Sequence, residues 1–257
     1  QVPSWKIPSA LPITTPNYTT ALDFVTSESD YIDLGTTTAY DTGDLSAAIW
    51  VNISNNGGTQ YVFSNSGSPS FKGFDIKVRQ SNQISVSRSS QLKSSSSGWI
   101  NVGFEYDVWQ HLAFTFNYAT NTIKLFLNGE LKDTSIGITE SASLASRKLT
   151  IGSYKGIQSY ASGELSNAVV FNSKLEDSEI ATLYNNGTPL TSMTGFTSLQ
   201  GWWKLDTGGS TITDSAGSNN GANSNPGATQ ITSDVLAPQP VNGVSTTLPS
   251  TALQQSD

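Results

Sequence analysis

The residues predict an all-β fold, an antiparallel sandwich or jelly roll of two sheets, with one short helix. Three observations carry this. Short segments of alternating apolar and polar residues recur along the chain, separated by Gly, Asn, Asp and Ser turn signals. One stretch, from Trp109 to Leu131, has the pattern of a β-hairpin. Helical spacing of apolar residues is confined to a segment near Asp177–Tyr184.

The hairpin's first arm is Trp109-Gln-His-Leu-Ala-Phe-Thr-Phe-Asn-Tyr118. Strand side chains alternate faces, so Leu112, Phe114, Phe116 and Tyr118 are expected to fill a core, with His111, Ala113, Thr115 and Asn117 on the other face. Ala119-Thr120-Asn121 turns the chain, and Ile123, Leu125 and Leu127 form the apolar set of the return arm. Asn128-Gly129 marks the next turn, toward Leu131.

The other elements follow in order. Residues 1–20 carry Pro3, Pro8, Pro12 and Pro16, too many for a central strand, and read as an extended arm with Trp5 and Ile7 packed on the surface. Residues 21–235 are expected to form the sandwich. It opens with Ala21–Val25 and with Asp30–Gly35, where Tyr31 and Asp33 oppose Ile32 and Leu34. Leu45–Ile53 keeps Leu45, Ala47, Ile49, Val51 and Ile53 in phase, and Tyr61–Ser64 is the next strand. Phe74–Arg79 and Ile84–Arg88 make a second hairpin around a Ser-Asn-Gln turn. After a serine-rich loop at Ser94–Gly98, Trp99–Phe104 reads as a strand leading into the Trp109 hairpin. Lys148–Gly152 and Gly163–Asn172 close the sheets. In the helix, Ile180, Leu183 and Tyr184 share a face, Glu176, Asp177 and Glu179 sit near the positive end of the dipole, and Asn185-Asn186-Gly187 with Pro189 stops it. Residues 236–257, rich in Pro, Ser, Thr and Gln, read as a linker or assembly arm.

Several of these phrases, in this order, resemble a known family. They are Tyr31-Ile-Asp-Leu-Gly, Ser46-Ala-Ala-Ile-Trp-Val, Trp109-x-His-Leu-Ala-x-Thr-Phe with Leu125-x-Leu-Asn-Gly-x-Leu, Leu149-Thr-Ile-Gly, Gly163-x-Leu, and Glu179-Ile-x-x-Leu-Tyr-Asn-x-Gly. The ordered set, covering about Ala21 to Pro189, is similar to laminin-G-like domains of the concanavalin A-like lectin/glucanase group. The resemblance implies a concanavalin A-like jelly roll in which the hairpin serves the scaffold. One departure is that many relatives have an acidic pair where this chain has Ser166-Asn167, so no role is carried over to those positions. Gly201-Trp-Trp-Lys-Leu-Asp-Thr and Asp214-Ser-Ala-Gly-Ser-Asn-Asn-Gly look like the segment that normally precedes such a domain. Here they follow one. Residues 201–228 either complete the same sandwich or open a second repeat, and the first is preferred because no second domain follows before residue 257. The tail is similar to linkers between such modules in predicted virion proteins of marine phages.

Composition narrows the function. Among 257 residues only 13% are charged while 10% are aromatic, so the chain is expected to fold with a largely uncharged polar surface. With a net charge of −7 and scattered basic residues, it has no electrostatic footprint for nucleic acid or for an anionic membrane surface. No cysteine is present, so there is neither a disulfide framework nor a thiolate metal site. No apolar run approaches the ~20 residues of a bilayer span. The only methionine is Met193, so the chain is expected to be a processed product or a portion of something longer.

Sugar hydrolases of this fold class place two carboxylates about 5–5.5 Å apart when retaining. The pattern Glu-x-Asp-x-x-Glu is absent. Glu105 and Asp107 sit at a loop edge, and Glu176 and Glu179 at the helix start. His111, the single histidine, reads as structural, and one histidine excludes a multi-histidine metal site. Calcium is the expected cofactor if there is one, since it takes six to eight oxygens from Asp, Asn and carbonyls. Asp75 sits where some laminin-G-like domains place a calcium aspartate, and Asp23, Asp206 and Asp214 with Asn219 are further candidates; each also fits an Asx-turn. For sugar, the candidates are the loop aromatics Trp99, Tyr106, Tyr154, Tyr160 and Trp202, whereas Trp50 and Trp109 read as scaffold.

The expectation is a non-catalytic recognition module, glycan-binding, in an extracellular or virion setting such as a phage fibre or decoration protein. Its partners would be a cell-surface glycan or other virion subunits, with no nucleic acid, no membrane insertion and scope for a homo-oligomer. The alternatives are a structural assembly module without ligand and an accessory module of a secreted polysaccharide-degrading enzyme.

Overall fold

The structure, a computed structural model, describes residues 20–37, 40, 43–65, 73–88, 99–136, 147–225 and the backbone of 230–232. The proline-rich arm, the Ser94–Gly98 loop and the tail after residue 235 lie outside the described residues. The strands are β1 (Thr20–Phe24), β2 (Ile32–Thr37), β3 (Leu45–Ile53), β4 (Thr59–Ser64), β5 (Phe74–Arg79), β6 (Gln83–Arg88), β7 (Ile100–Asn101) and β8 (Gln110–Asn117). They continue with β9 (Thr122–Leu127), β10 (Glu130–Ile136), β11 (Arg147–Ile151) and β12 (Gly163–Phe171). Helix α1 (Asp177–Tyr184) precedes β13 (Leu199–Trp203), β14 (Thr211–Ile212), β15 (Gly221–Asn223) and β16 (Gln230–Thr232).

These form two sheets with antiparallel pairings. The first runs β10-β9-β8-β3-β12-β1-β16, with β13 also on β12; the second runs β14-β15-β2-β11-β4-β5-β6-β7. Between them lies the core. Leu45, Ala47, Ile49, Val51 and Ile53 of β3, Leu112, Phe114 and Phe116 of β8, and Ile123, Leu125 and Leu127 of β9 share one buried cluster with Phe63, Phe74, Ile76, Val78, Ile84 and Val86 of the second sheet. Period-2 alternation therefore decides which face of each strand is inside.

The hairpin forms as predicted, and its two apolar sets face each other, Phe114 opposite Leu125. Tyr118 departs from the expectation. It is 47% exposed, because β8 ends at Asn117 and Tyr118 belongs to the turn, its N–H donating to Asp44 Oδ1 (2.7 Å). The predicted strand Trp99–Phe104 also shortens to β7, because Gly103 takes a φ of 84° and breaks it, while Phe104 turns into the core.

The opposite face of the first sheet is buried as well. Ala48, Ala113, Phe126, Val169 and Phe171 meet Leu175, Ile180, Leu183 and Trp202 in a second cluster. Helix α1 is held there by Lys124–Asp177 (2.7 Å), and its N-terminus is closed by Glu179 Oε2, which accepts the Glu176 N–H (2.7 Å). Beside it, Trp50, His111 and Tyr184 pack ring on ring, the Trp50–Tyr184 pair stacked at 5.7 Å and 22° and the Trp50–His111 pair tilted at 5.2 Å. Trp50 and Trp109 are buried.

Residues 199–223 contribute to both sheets. β13 runs along the second half of β12, with Val169 opposite Trp202, and β15 pairs with β2, with Ala222 opposite Asp33. The Trp203 indole spans the layers. It is fully buried, meets Phe63 edge-on at 6.1 Å, and donates Nε1–H to the Asn219 carbonyl (2.8 Å). Gly201 is needed beneath it, since a Cβ there would lie 2.3 Å from the ring. Among the described residues no helix is long and apolar enough to cross a membrane.

Two predictions follow from this packing. Trp203→Ala removes the indole that links the sheets and is expected to cost about 3–5 kcal/mol, measured by denaturant unfolding. The second concerns His111, whose imidazole burial pushes down to about 3 from the ordinary 6.5. The folded state holds it neutral, while the unfolded chain protonates it below about 6.5. The stability it contributes is therefore complete above the unfolded value and is lost as pH falls toward the folded one, by up to about 1.4 kcal/mol per pH unit. Subtracting the stability of His111→Asn from that of the wild type should give a difference that is level above about pH 7 and moves against the wild type below about pH 6.

Candidate functional site

The outer face of the second sheet differs from that of the first. The sequence Phe74-Asp-Ile-Lys-Val-Arg sends Phe74, Ile76 and Val78 into the core and so sends Asp75, Lys77 and Arg79 outward. Cross-strand registry then builds rows. Ser64, Asp75 and Ser87 align across β4, β5 and β6; Tyr61, Lys77 and Ser85 form the next row, and Arg79 stands opposite Gln83. Trp99 precedes β7, which pairs with β6 through Ile100 and Ile84.

The rings and cations of this face touch in sequence. Tyr154 packs on Tyr61 with centroids 5.0 Å apart. Lys77 Nζ lies 5.2 Å from the Tyr61 centroid and 5.6 Å from that of Trp99. The Arg79 guanidinium lies 4.6 Å from Trp99, and Lys155 Nζ lies 5.0 Å from Tyr154. These are cation–π distances. The Arg79 Nε–H donates to Gln83 Oε1 (2.7 Å), as does its Nη2–H, which fixes the plane of the guanidinium. Tyr61, Lys77, Arg79, Trp99 and Lys155 are all partly open to solvent.

Tyr154 and Tyr160 ride on the loop between β11 and β12, and hydrogen bonds hold this loop in place. The Ala161 N–H donates to the Gly152 carbonyl (2.8 Å), and the Tyr154 N–H to the Gln158 carbonyl (3.0 Å). The Tyr61 N–H donates to the Ser159 carbonyl (3.0 Å), tying the loop to β4. Tyr160 rests on Tyr31 at 6.3 Å and donates its hydroxyl to the Gly156 carbonyl (3.1 Å). Gly156 takes a φ of 73°, and a Cβ there would strike the Tyr31 ring at 2.5 Å.

Trp99, Tyr154 and Tyr160 thus lie on the second-sheet side, in contact with residues of β4 and β5 and with Tyr31, just before β2. Tyr106 and Trp202 lie elsewhere. Tyr106 packs edge-on against Phe104 at 5.4 Å with its hydroxyl buried, and burial pushes its phenol up. Trp202 is buried beneath the α1 side of the first sheet and donates Nε1–H to Asn167 Oδ1 (2.9 Å). This contact, with Ser166 Oγ donating to the Thr20 and Lys204 carbonyls (both 3.2 Å), gives the Ser166-Asn167 departure a packing role.

The aspartates are dispersed. Asp75 is buried on the second sheet and accepts the Ser64 hydroxyl (2.7 Å) and the Ser87 hydroxyl (3.1 Å). Its charge, after burial, helps push the Tyr61 and Tyr154 phenols up. Asp214 and Asn219 do come together, but as a turn. Asp214 Oδ1 accepts N–H groups from Trp202 and Ala216 (both 2.9 Å), and its Oδ2 accepts from Asn219 (3.1 Å). A carboxylate so surrounded by donors is the reverse of a calcium shell, in which oxygens converge. Asp23 stands opposite Glu164 on the first sheet. Burial first, then the charges of Asp30 and Glu28, raise its pKa, while Asn52 Nδ2 donates to Glu164 Oε2 (2.7 Å). Asp206 is half-buried between β13 and β14. Among the described residues no group of three or more His, Cys, Asp or Glu is placed to hold a metal ion. His111, buried and neutral, is placed for packing.

Tyr61, Lys77 and Arg79 were not among the sequence candidates. The signal for two of them was present in the alternation of Asp75, Lys77 and Arg79, which fixes three charges on one outward face.

Comparison with known proteins bears on the fold. No curated protein sequence matches the chain significantly. A solved structure from Bacteroides ovatus ATCC 8483, described as a "putative carbohydrate binding protein", superposes with a TM-score of 0.60 at 16% identity, over 84% of this chain and 60% of that one. This chain therefore spans only about 60% of that protein's length. The native heptameric SAP-like pentraxin of Limulus polyphemus gives a TM-score of 0.48 at 15% identity, covering 70% of this chain and 86% of that one. The CBM40 of a Ruminococcus gnavus IT-sialidase, bound to α2,3-sialyllactose, gives 0.43 at 14% identity, covering 57% and 85%. A family model described as the concanavalin A-like lectin/glucanases superfamily, in its laminin-G-like form, matches residues 26–181, more than half of the chain. With that match and the two-sheet jelly roll described above, the chain belongs to the laminin-G-like group of the concanavalin A-like lectin/glucanases superfamily.

Proposed function

We propose that this protein is a non-catalytic glycan-binding module, and that the glycan lies on the outer face of the second sheet. One observation carries the reading, namely the partly exposed row Tyr61–Lys77–Trp99 with Tyr154 at its end. Sugar rings present an apolar face of C–H bonds and a rim of hydroxyls. An aromatic platform covers the first, and hydrogen-bonding groups engage the second. Here the platform is flanked by Arg79 with Gln83, while the Ser64–Asp75–Ser87 row beside it is buried and mutually hydrogen-bonded. The anchored Ser153–Ala161 loop fixes the platform before ligand arrives, which lowers the entropy cost of binding. The carbohydrate-binding description of the Bacteroides ovatus structure is consistent with this reading.

The setting we propose is extracellular or on a virion, where such a module meets cell-surface glycan. Calcium is not required in this reading, since Asp75 is engaged by serine hydroxyls and Asp214 by backbone N–H groups.

A second reading, an assembly module without ligand, is favoured by the edge of the first sheet. There β10 exposes Leu131 and Ile136, the latter at 76%. The same strand carries Lys132 and Asp133 and a register shift between Leu131 and Asp133, features that oppose edge-to-edge pairing. We therefore rank it second.

A glycan array run with calcium and again with chelator tests the reading. Binding to a defined set of glycans in both conditions is expected. Trp99→Ala and Tyr61→Ala should each weaken it about tenfold, the loss of one ring contact, with melting temperature nearly unchanged. Loss of binding on chelation would place an ion at the site. Absence of binding, with a multimer seen in native mass spectrometry, would favour assembly.

A further inference from the structure

We propose that the glycan is anionic, a polysaccharide bearing carboxylate groups along its chain, and that Lys77, Arg79 and Lys155 receive those groups. This rests on the reading of the second sheet's outer face as the glycan site.

The argument begins with scarcity. The chain has 13 Lys and Arg against 20 Asp and Glu. With acids in excess, a basic side chain on the surface readily finds a carboxylate, and many here do. Lys124 pairs with Asp177 (2.7 Å), Lys132 with Glu130 (2.8 Å), Lys148 with Asp33 (2.8 Å) and Lys174 with Glu176 (2.7 Å). Lys77, Arg79 and Lys155 form no ion pair among the described residues. Each instead lies over an aromatic face. Asp75, the acidic residue on the same face of β5, is buried and bound by Ser64 and Ser87. A protein with net charge −7 thus gathers three cations without carboxylate partners, among the described residues, on a row of contacting rings.

The geometry favours carboxylate. Lys77 and Arg79 are two residues apart on one strand face, about 7 Å at the usual rise. The Arg79 guanidinium is clamped between the Trp99 face and the Gln83 amide, which fixes its plane while Nη1 makes no hydrogen bond among the described residues. A planar, oriented fork of donors suits a carboxylate better than it suits a neutral hydroxyl. Tyr61 and Trp99 each carry a cation over the ring and are partly open to solvent, so charge and aromatic surface would act on the same residue of ligand. Three cations are few for a nucleic acid, whose binding draws on many phosphate contacts against this chain's overall negative charge.

The test uses the full chain and matched ligands. Polygalacturonate, alginate and hyaluronan are titrated by calorimetry, each beside its methyl-esterified form, together with neutral galactan and xylan and a single-stranded DNA. At least one acidic polymer is expected to bind tenfold or more tightly than its own ester. That preference should fall toward unity in Lys77→Gln/Arg79→Gln and should weaken with added salt. Lys155→Gln, on the loop rather than the strand, should reduce it by a smaller factor, which guards against a folding defect in the double variant.

Esters or neutral polymers binding as tightly as acids would overturn the anionic inference while leaving the glycan reading intact. Binding of no polysaccharide, acidic or neutral, would overturn both. DNA binding as tightly as the acidic polymers would overturn carboxylate recognition in favour of nonspecific anion attraction.

Discussion

The alternation of side chains along β3 is the constraint on which the rest of the molecule depends. Its odd residues from Leu45 to Ile53 fill the space between the sheets, and its even residues Ser46, Ala48 and Trp50 are also buried. Ser46 is bound into the chain before α1, donating its hydroxyl to the Ser173 carbonyl (2.8 Å) and accepting the Leu175 N–H (2.9 Å). Ala48 lies in the cluster with Leu183, and Trp50 is stacked on Tyr184. A strand buried on both faces has no surface to offer a ligand. Through β8 and most of β12 the same holds for the centre of the first sheet. The recognition chemistry we propose therefore falls on the second sheet, whose outward residues are Asp75, Lys77 and Arg79 rather than alanine and phenylalanine.

That displacement also shapes the electrostatics. Cations seated on rings are held there without an acidic partner, because the quadrupole of the ring attracts them. The row from Tyr154 to Arg79 is therefore positively charged while the chain as a whole is negative. Its rigidity comes from outside the row, from the Ser159 carbonyl on the Tyr61 N–H and the Gln83 amide on Arg79. Platform, charge and fixed orientation are supplied by different elements, β4, β5, β6 and the β11–β12 loop, which registry alone brings into one plane.

Much of the fold was legible because strand period is a local property. Leu45–Ile53, Phe74–Arg79 and Asp177–Tyr184 have the predicted bounds, since their apolar spacing, turn residues and helix cap agree with one another. Where a single backbone residue decided, the reading failed. Gly103 cut the strand expected at Trp99–Phe104, and the end of β8 at Asn117 left Tyr118 in solvent. The site was less legible. Exposed-looking aromatics such as Trp202 proved buried, because the α1 layer covers the first sheet and nothing near Trp202 in sequence announces that. Asp214 likewise has the residue type of a cation ligand, but the N–H groups of Trp202, Ala216 and Asn219 surround its carboxylate. Tyr61 joins Lys77 only through registry between β4 and β5, which a one-dimensional reading cannot supply.

The six tryptophans allow a direct test of where ligand lies. The indole N–H signals, assigned by single Trp→Phe variants, would be followed in a nitrogen–proton correlation spectrum as an acidic oligosaccharide is added. The Trp99 signal should move on titration, while those of buried Trp50, Trp109, Trp202 and Trp203 stay in place. A shift confined to Trp109 or Trp202, with Trp99 unmoved, would put the ligand on the first sheet and contradict the account.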